Sequence, residues 1–245
     1  DPSNPATVWV GSGENNNQRS VGYGNGIYRS DDGGKTFAHM GLKKSEHIGM
    51  IAVDPRNSNV VYAAAYGPLW NEGGERGLYK TTDGGKTWNL VHKVSEHTGC
   101  NEVHLDPRNP DIVYAAFHQR RRHEWTYISG GPESAVFRSA DGGQTWKKLG
   151  GGLPGDDLGR IALALAPSNP DIMYAMVEAT ENAGVYRSEN RGASWTKVNS
   201  FSTAGNYYQE LYVDPKNPDR VFFMDTYLKI SHDGGKTIVN AGERS

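Results

Sequence analysis

The chain of 245 residues has one cysteine, Cys100, so it has no pair for a disulfide and no thiolate cluster for a metal. That single thiol reads as a small buried apolar side chain. No run of about eighteen apolar residues occurs, which excludes a helical membrane span. Neither sign of charge dominates: 26 Lys and Arg face 28 Asp and Glu, a formal net charge of -2. The chain therefore lacks the basic footprint that nucleic acid or an anionic surface requires. Long amphipathic helical patterns are scarce as well. What is plentiful is glycine, 31 residues, together with 12 prolines. That composition points to many short strands joined by tight turns. With 36% hydrophobic and 22% charged residues, the chain is rich enough in apolar groups to bury a core. It starts at Asp1, as expected of a processed or cut piece whose targeting information lies elsewhere.

Two motifs alternate along the chain. The first reads YRSDDGGKTF to Phe37, YKTTDGGKTW to Trp88, FRSADGGQTW to Trp146, YRSENRGASW to Trp195 and KISHDGGKTI to Ile238. Its key positions are Asp32, Asp83, Asp141, Asn190 and Asp233, spaced by 51, 58, 49 and 43 residues. The second reads DPSNPATVWV from Asp1, DPRNSNVVYA from Asp54, DPRNPDIVYA from Asp106, APSNPDIMYA from Ala166 and DPKNPDRVFF from Asp214. A period near fifty residues is that of a propeller blade. Alternating apolar residues, β-branched side chains and turn residues divide each unit into four strands. In the second unit these are His47 to Val53, Val60 to Tyr66, Gly77 to Thr81 and Thr87 to His92. The expected fold is all-β, a β-propeller of four-stranded antiparallel blades, with about five blades in units 1–46, 47–97, 98–157, 158–205 and 206–245.

Two carboxylates, two glycines and a lysine in one turn suggest a phosphate or metal loop. Five copies around a ring argue instead for a corner. Glycine supplies the positive φ that such turns need, the Asp accepts backbone hydrogen bonds, and the terminal aromatic anchors the turn between sheets. The pattern Ser-x-Asp-x-Gly-x-Thr-Trp resembles the Asp-box, or bacterial neuraminidase repeat. Its DPxNPxxVYAA companion is similar to that of the xyloglucanase, sortilin and photosystem II assembly-factor branch, and of large secreted bacterial proteins named for glycosyl hydrolases. The resemblance implies a secreted, periplasmic or cell-surface protein.

The first unit lacks an innermost strand, which leaves nineteen strands where five blades need twenty. The expectation is a part of a larger ring, of roughly seven or more blades, or an arc that another chain completes. Strand direction places both repeated turns on one face. The varied loops between second and third strands, and the links between blades, lie on the other, where function is expected.

Those loops and links carry the candidates. Ser-Glu-His occurs at Ser45-Glu46-His47 and at Ser95-Glu96-His97. The pair could serve acid–base chemistry, or could bond across blades; neighbours on a strand face opposite ways and do not converge on one metal. Arg120, Arg121 and Arg122 precede His123, Glu124, Trp125 and Tyr127, a charge run that could grip carboxylate, sulfate or phosphate beside a sugar-stacking ring. Trp70 with Glu72 and Glu75 is a second candidate platform. Asn15, Arg160, Tyr207 and Tyr208 complete the expected binding set. Acids available for glycoside hydrolysis are Glu14, Glu46, Glu72, Glu96, Asp156, Asp157 and Glu178. Among them Glu14, Glu46, Glu96 and Asp157 are the catalytic candidates.

Sialidases carry an arginine trio and an Arg-Ile-Pro motif, whereas this chain has Arg160-Ile161-Ala162. Xyloglucanases place a catalytic Asp in an RTDxGG setting; the matching place here reads WVGSGENNN, with Glu14. These departures favour a propeller that binds a polysaccharide or a protein partner, with no cofactor or metal. The alternative is a glycoside hydrolase of inverting endo type whose acid pair is shared with blades outside this piece.

Overall fold

The computed structural model describes residues 1–242 and contains twenty strands in five antiparallel sheets. The first sheet holds β1 (Val8–Gly11), β2 (Ile27–Ser30) and β3 (Ala38–His39). The second holds β4 (Ile48–Val53), β5 (Val61–Ala65), β6 (Gly77–Thr81) and β7 (Asn89–His92). The third is built from β8 (Thr98–Asp106), β9 (Asn109–Arg122), β10 (Tyr127–Ser129), β11 (Ala135–Ser139) and β12 (Lys147–Leu149). The fourth contains β13 (Leu158–Leu165), β14 (Met173–Ala179), β15 (Gly184–Ser188) and β16 (Thr196–Asn199). The fifth contains β17 (Glu210–Val213), β18 (Val221–Met224), β19 (Lys229–Ser231) and β20 (Val239–Asn240). The fold is the expected propeller arc, its first blade three-stranded. The twentieth strand was not expected. The segment read as a loop at His118–Arg122 continues β9, and β10 pairs back onto Arg120, Arg121 and Arg122.

In the three middle blades the second strand, β5, β9 or β14, is buried on both faces over most of its length, which explains its composition. All five residues of β5 are buried, and three of them are alanines that let adjacent sheets approach closely. Four apolar clusters fill the four spaces between blades. Ile27, Ile48 and Ala65 join the first pair, and Tyr62, Val103 and Phe117 the second. Tyr114, Leu163 and Trp195 join the third pair, and Tyr174, Met176 and Phe223 the fourth. The tyrosine of the VYA motif reaches the next blade each time. Tyr62 donates to the Gly142 carbonyl at 2.9 Å, Tyr114 to Arg191 at 3.3 Å and Tyr174 to Pro218 at 2.8 Å. The motif's arginines add exposed ion pairs, Arg56 to Asp111 and Arg108 to Asp171, each worth under about 1 kcal/mol.

The Asp-box turns are corners. Asp32 accepts from the Thr36 amide at 2.9 Å, the Thr36 hydroxyl at 2.7 Å and the Ser30 hydroxyl at 2.7 Å. Asp83, Asp141 and Asp233 repeat the scheme, and Asn190 keeps it as an amide by donating to Ser194. Gly33 and Gly34 have φ of 73° and 88°, a region in which Cβ is strained. In the fourth copy Arg191 occupies that region at φ 59°. Within every blade the box turn bonds the companion turn, from Gly33 to Ala6, Gly84 to Asn59, Gly142 to Asp111, Arg191 to Asp171 and Gly234 to Asp219. Both kinds of corner therefore share one end of every sheet.

The box aromatics pack on the preceding blade. Trp88 donates to the Met40 carbonyl at 2.7 Å and meets Trp9 edge to face, while Trp146 stacks on His92. Phe37, in the first blade, is 45% exposed.

Candidate functional site

Opposite the corners, the loop from Gly11 to Asn25 folds across the end of the central channel and contacts every blade. Its amides and carbonyls first pair with its own blade and the second: Ser12 to Gly26, Ile48 to Ser12 and Gly24 to Glu46. Gly13 lies so close to the Glu46 carbonyl that a Cβ would collide with it. The three asparagines then reach onward. The Asn15 carbonyl accepts from Arg160 at 2.9 Å, and the Asn15 amide donates to Glu210 at 3.3 Å and to Gly49 at 3.4 Å. The Asn16 carbonyl accepts from Arg120 at 2.7 Å. Asn17 is fully buried; its side chain accepts from Arg120 at 2.6 Å and donates to the Tyr127 hydroxyl at 3.1 Å. Its carbonyl accepts from Arg122 at 2.9 Å, and its amide donates to Asn206 of the fifth blade at 2.9 Å. This strap ties five sheets together with backbone acceptors and buried guanidinium donors.

The expected binding residues thus divide in two. Arg120, Arg160 and His47 are interior. Arg120 stacks on Tyr66 at 3.3 Å from the ring centre, and burial lowers its pKa to about 10. Burial and the nearby Arg120 charge lower His47 to about 4, so its ring is neutral. Arg122 covers Tyr127 and holds the strap. Of the charge run expected at the surface, Arg120 is interior, while Arg121 and Arg122 are partly buried. Asn15 likewise serves the strap. Glu210, between Arg160 and the strap, is raised by burial and by the Glu102 charge. Glu102 is a buried carboxylate that accepts the Leu163 amide and contacts His104. Glu102 was not signalled by the sequence, because strand alternation alone does not reveal a buried acid; Glu210 stood out only as a neighbour of Tyr207 and Tyr208.

The second group remains at the surface. Trp125 is 82% exposed and stacks on His123 at 5.4 Å with rings 13° from parallel. Tyr207 is half-exposed beside Tyr208, and Tyr23 is exposed over the His47 ring. Glu72, Glu96 and His97 are also exposed, and Trp70 is partly buried. The two Ser-Glu-His copies differ: Glu46 has φ 64° and leads into a buried His47, whereas Glu96 pairs with Lys93 and His97 faces solvent.

Of the acids, the exposed Glu14 accepts from the Gly22 amide at 2.5 Å and closes its own loop. Asp156 holds the Glu181 amide. Asp157 and Glu178 line one polar cavity of about 320 Å³ at the junction of the third and fourth blades, with Ser129 and Thr180. Glu178 is fixed there by the Arg160 amide at 3.0 Å and the Ser129 hydroxyl at 3.2 Å. Behind them the buried His118 touches Ser129 at 3.4 Å and bonds Tyr66. The far end of the channel is apolar, a cavity of about 610 Å³ lined by residues such as Met50, Leu105, Leu165 and Leu211. Among the described residues no group of three or more His, Cys, Asp or Glu could hold a metal, and no helix is long and apolar enough to cross a membrane.

Residues 134–244 match the family model described as Sortilin, neurotensin receptor 3, and residues 79–90 match the BNR/Asp-box repeat. A xyloglucanase of Paenibacillus sp is 31% identical over 171 residues, which cover 62% of this chain and 16% of that protein. A xyloglucanase of Hypocrea jecorina is 31% identical over 165 residues, covering 64% and 18%. The chain thus spans about a sixth of the length of these curated relatives. The GH74 enzyme of Niastella koreensis superposes with a TM-score of 0.71 at 19% identity, over 95% of this chain and 35% of that one. YCF48 from Cyanidioschyzon merolae does so with a TM-score of 0.51 at 13% identity, over 88% and 66%. These structural likenesses establish the fold.

Proposed function

We propose, taking the chain as the Asp-box β-propeller that its repeats and relatives make it, that it is part of a polysaccharide-cleaving glycoside hydrolase acting outside the cytoplasm. The sequence alone favoured a purely binding propeller; the likeness to xyloglucanases favours the hydrolase. The observation that carries this reading is the pairing of that likeness with three exposed aromatic side chains, Tyr23, Trp125 and Tyr207, all on the strap face. An exposed ring covers the apolar face of a pyranose, and rings from three blades suit an extended glucan chain.

In this reading the strap and its arginines hold the platform rigid, and the chain supplies an acid at the third junction. Asp157 is exposed at the mouth of the polar cavity, and Glu178 is held deeper by two donors. Hydrolysis needs an acid and a base, about 6.5–9.5 Å apart for inversion. Asp157 is our candidate for one role, and a carboxylate of the remaining protein takes the other.

The test is release of reducing ends from xyloglucan by the full-length protein, followed by Asp157→Asn. We expect turnover that this change lowers by about 100-fold or more. Oligoxyloglucan binding without turnover would restore the binding-only reading. Neither binding nor turnover would overturn both.

A further inference from the structure

Beneath the Trp125–His123 stack lies a separate cavity of about 360 Å³, lined by Glu72, His97, Gln119, Arg121, His123 and Ile128 together with Arg120. Its chemistry differs from the rest of the strap face. Arg121 is mostly enclosed, with 15% of its side chain exposed, and its Nε is buried without a hydrogen-bond partner. Arginine can only donate, so the 3.2 Å contact from Arg121 Nη2 makes His97 Nδ1 the acceptor. The His97 ring is then the Nε2–H tautomer, with a second donor. The one acid at the cavity is Glu72, on the facing loop of the second blade. Its carboxylate stands 3.6 Å from Arg121 Nη2 and 3.8 Å from His97 Nδ1, beyond hydrogen-bond length, and its side chain is 67% exposed.

We infer that this cavity is a subsite for an acidic sugar, in which the carboxylate of a hexuronic acid residue takes the place that Glu72 occupies at a distance. This rests on the polysaccharide reading above and adds the substrate class. The planar guanidinium fork of Arg121 matches a carboxylate through two parallel donors, a geometry that an ammonium lacks. Glu72 swings outward on its exposed stem and gives up no hydrogen bond in doing so. The Trp125 ring stands next to the cavity through His123, so a pyranose on that ring can turn its carboxylate inward to Arg121. Ile128, 41% exposed, adds an apolar wall. On the same cavity wall, Arg120 spends both terminal nitrogens on the Asn16 and Gly67 carbonyls and the Asn17 side chain. Arg160, outside the cavity, spends its own on Asn15 and Glu210, although each of the two also keeps a buried Nε without a partner. Arg121 has donors left over in a cavity open to solvent.

The experiment is calorimetric titration of the full-length protein with two trimers on the same β-1,4 backbone, cellotriose and its C6-oxidised triglucuronate. The uronate should bind at least ~10-fold more tightly, the value of a charge-assisted hydrogen-bonded pair. Arg121→Gln should reduce the uronate to the affinity of cellotriose and leave cellotriose unchanged. Glu72→Gln, a surface change that does not threaten folding, should tighten the uronate severalfold and leave cellotriose unchanged. Cellotriose binding with no uronate preference, or a preference indifferent to both substitutions, overturns the subsite and leaves the polysaccharide reading standing. A trimer sulfated at C6 that binds as tightly as the uronate overturns the assignment to a carboxylate. Failure of every trimer to bind refutes both readings together.

Discussion

Replacing Asn17 by alanine isolates what the strap contributes. The side chain is fully buried and makes two contacts, accepting from Arg120 at 2.6 Å and donating to the Tyr127 hydroxyl at 3.1 Å. The first is charge-assisted and worth about 1.5–3 kcal/mol; the second, between neutral groups, about 1 kcal/mol. Losing them also leaves a buried guanidinium with one acceptor fewer, although Asn16 and Gly67 still serve it. The strap backbone contacts to Arg122 and Asn206 survive the change. The expected loss is therefore about 2–4 kcal/mol, or a melting temperature lower by about 4–16 °C for a domain of this size. Asn16→Ala is the control. There Arg120 uses the backbone carbonyl, and the side chain only accepts the Gln18 amide, so the expected cost is under about 1 kcal/mol. Urea unfolding of both variants, with hydrogen exchange at residues 12–25, supplies the comparison. Equal losses in the two variants, or an Asn17→Ala protein within about 0.5 kcal/mol of the parent, would refute the strap as a clasp.

Further outcomes follow from the corners and blade seams. Asp32, Asp83 and Asp233 are held at about 2 by their amide and hydroxyl donors, below the ordinary 3.8, and Asp141 is lowered too. Because the unfolded chain then binds more protons, these turns stabilise the fold above pH ~4 and lose that contribution as pH falls from ~4 towards 2. Asp83→Asn, imitating Asn190, should flatten the acid limb of stability against pH; an unchanged limb contradicts this. Trp88→Ala should cost about 2–4 kcal/mol in urea unfolding, because it opens a seam against Trp9 and Met40. Phe37→Ala should cost under about 1 kcal/mol, since Phe37 is 45% exposed. Equal costs would remove the blade-to-blade role of the box aromatic.

The corners were readable because their physics is local. Ser30, Asp32, Gly34 and Thr36 meet within one turn, so spacing alone reveals the hydrogen bonds. The strands of the second blade were readable for a similar reason: alternation and turn residues placed them within about two residues of β4 to β7. The strap was not readable. Asn15 finds Glu210 and Arg160, and Asn17 finds Arg120 and Tyr127, partners far along the chain that only closure of the arc brings near. The arginine run misled because its polarity suggested a loop. Instead β9 continues through it, and alternation buries Arg120 and leaves Arg121 facing the cavity under Trp125. Ser-Glu-His appeared twice in sequence, yet only in the copy beneath the strap are the serine and histidine buried. Its surroundings, not its residues, decide its state.

The central claim is that a glycan lies on the strap face and not on the face of the corners. Hydrogen exchange of the full-length protein with and without a xyloglucan oligosaccharide measures this directly. The account predicts slowed exchange in the loops at residues 11–25 and 67–76 and in the β9–β10 hairpin and following loop at residues 118–134, with the Asp-box turns unchanged. Slowing confined to the Asp-box and companion turns, or none at saturating oligosaccharide, would contradict it.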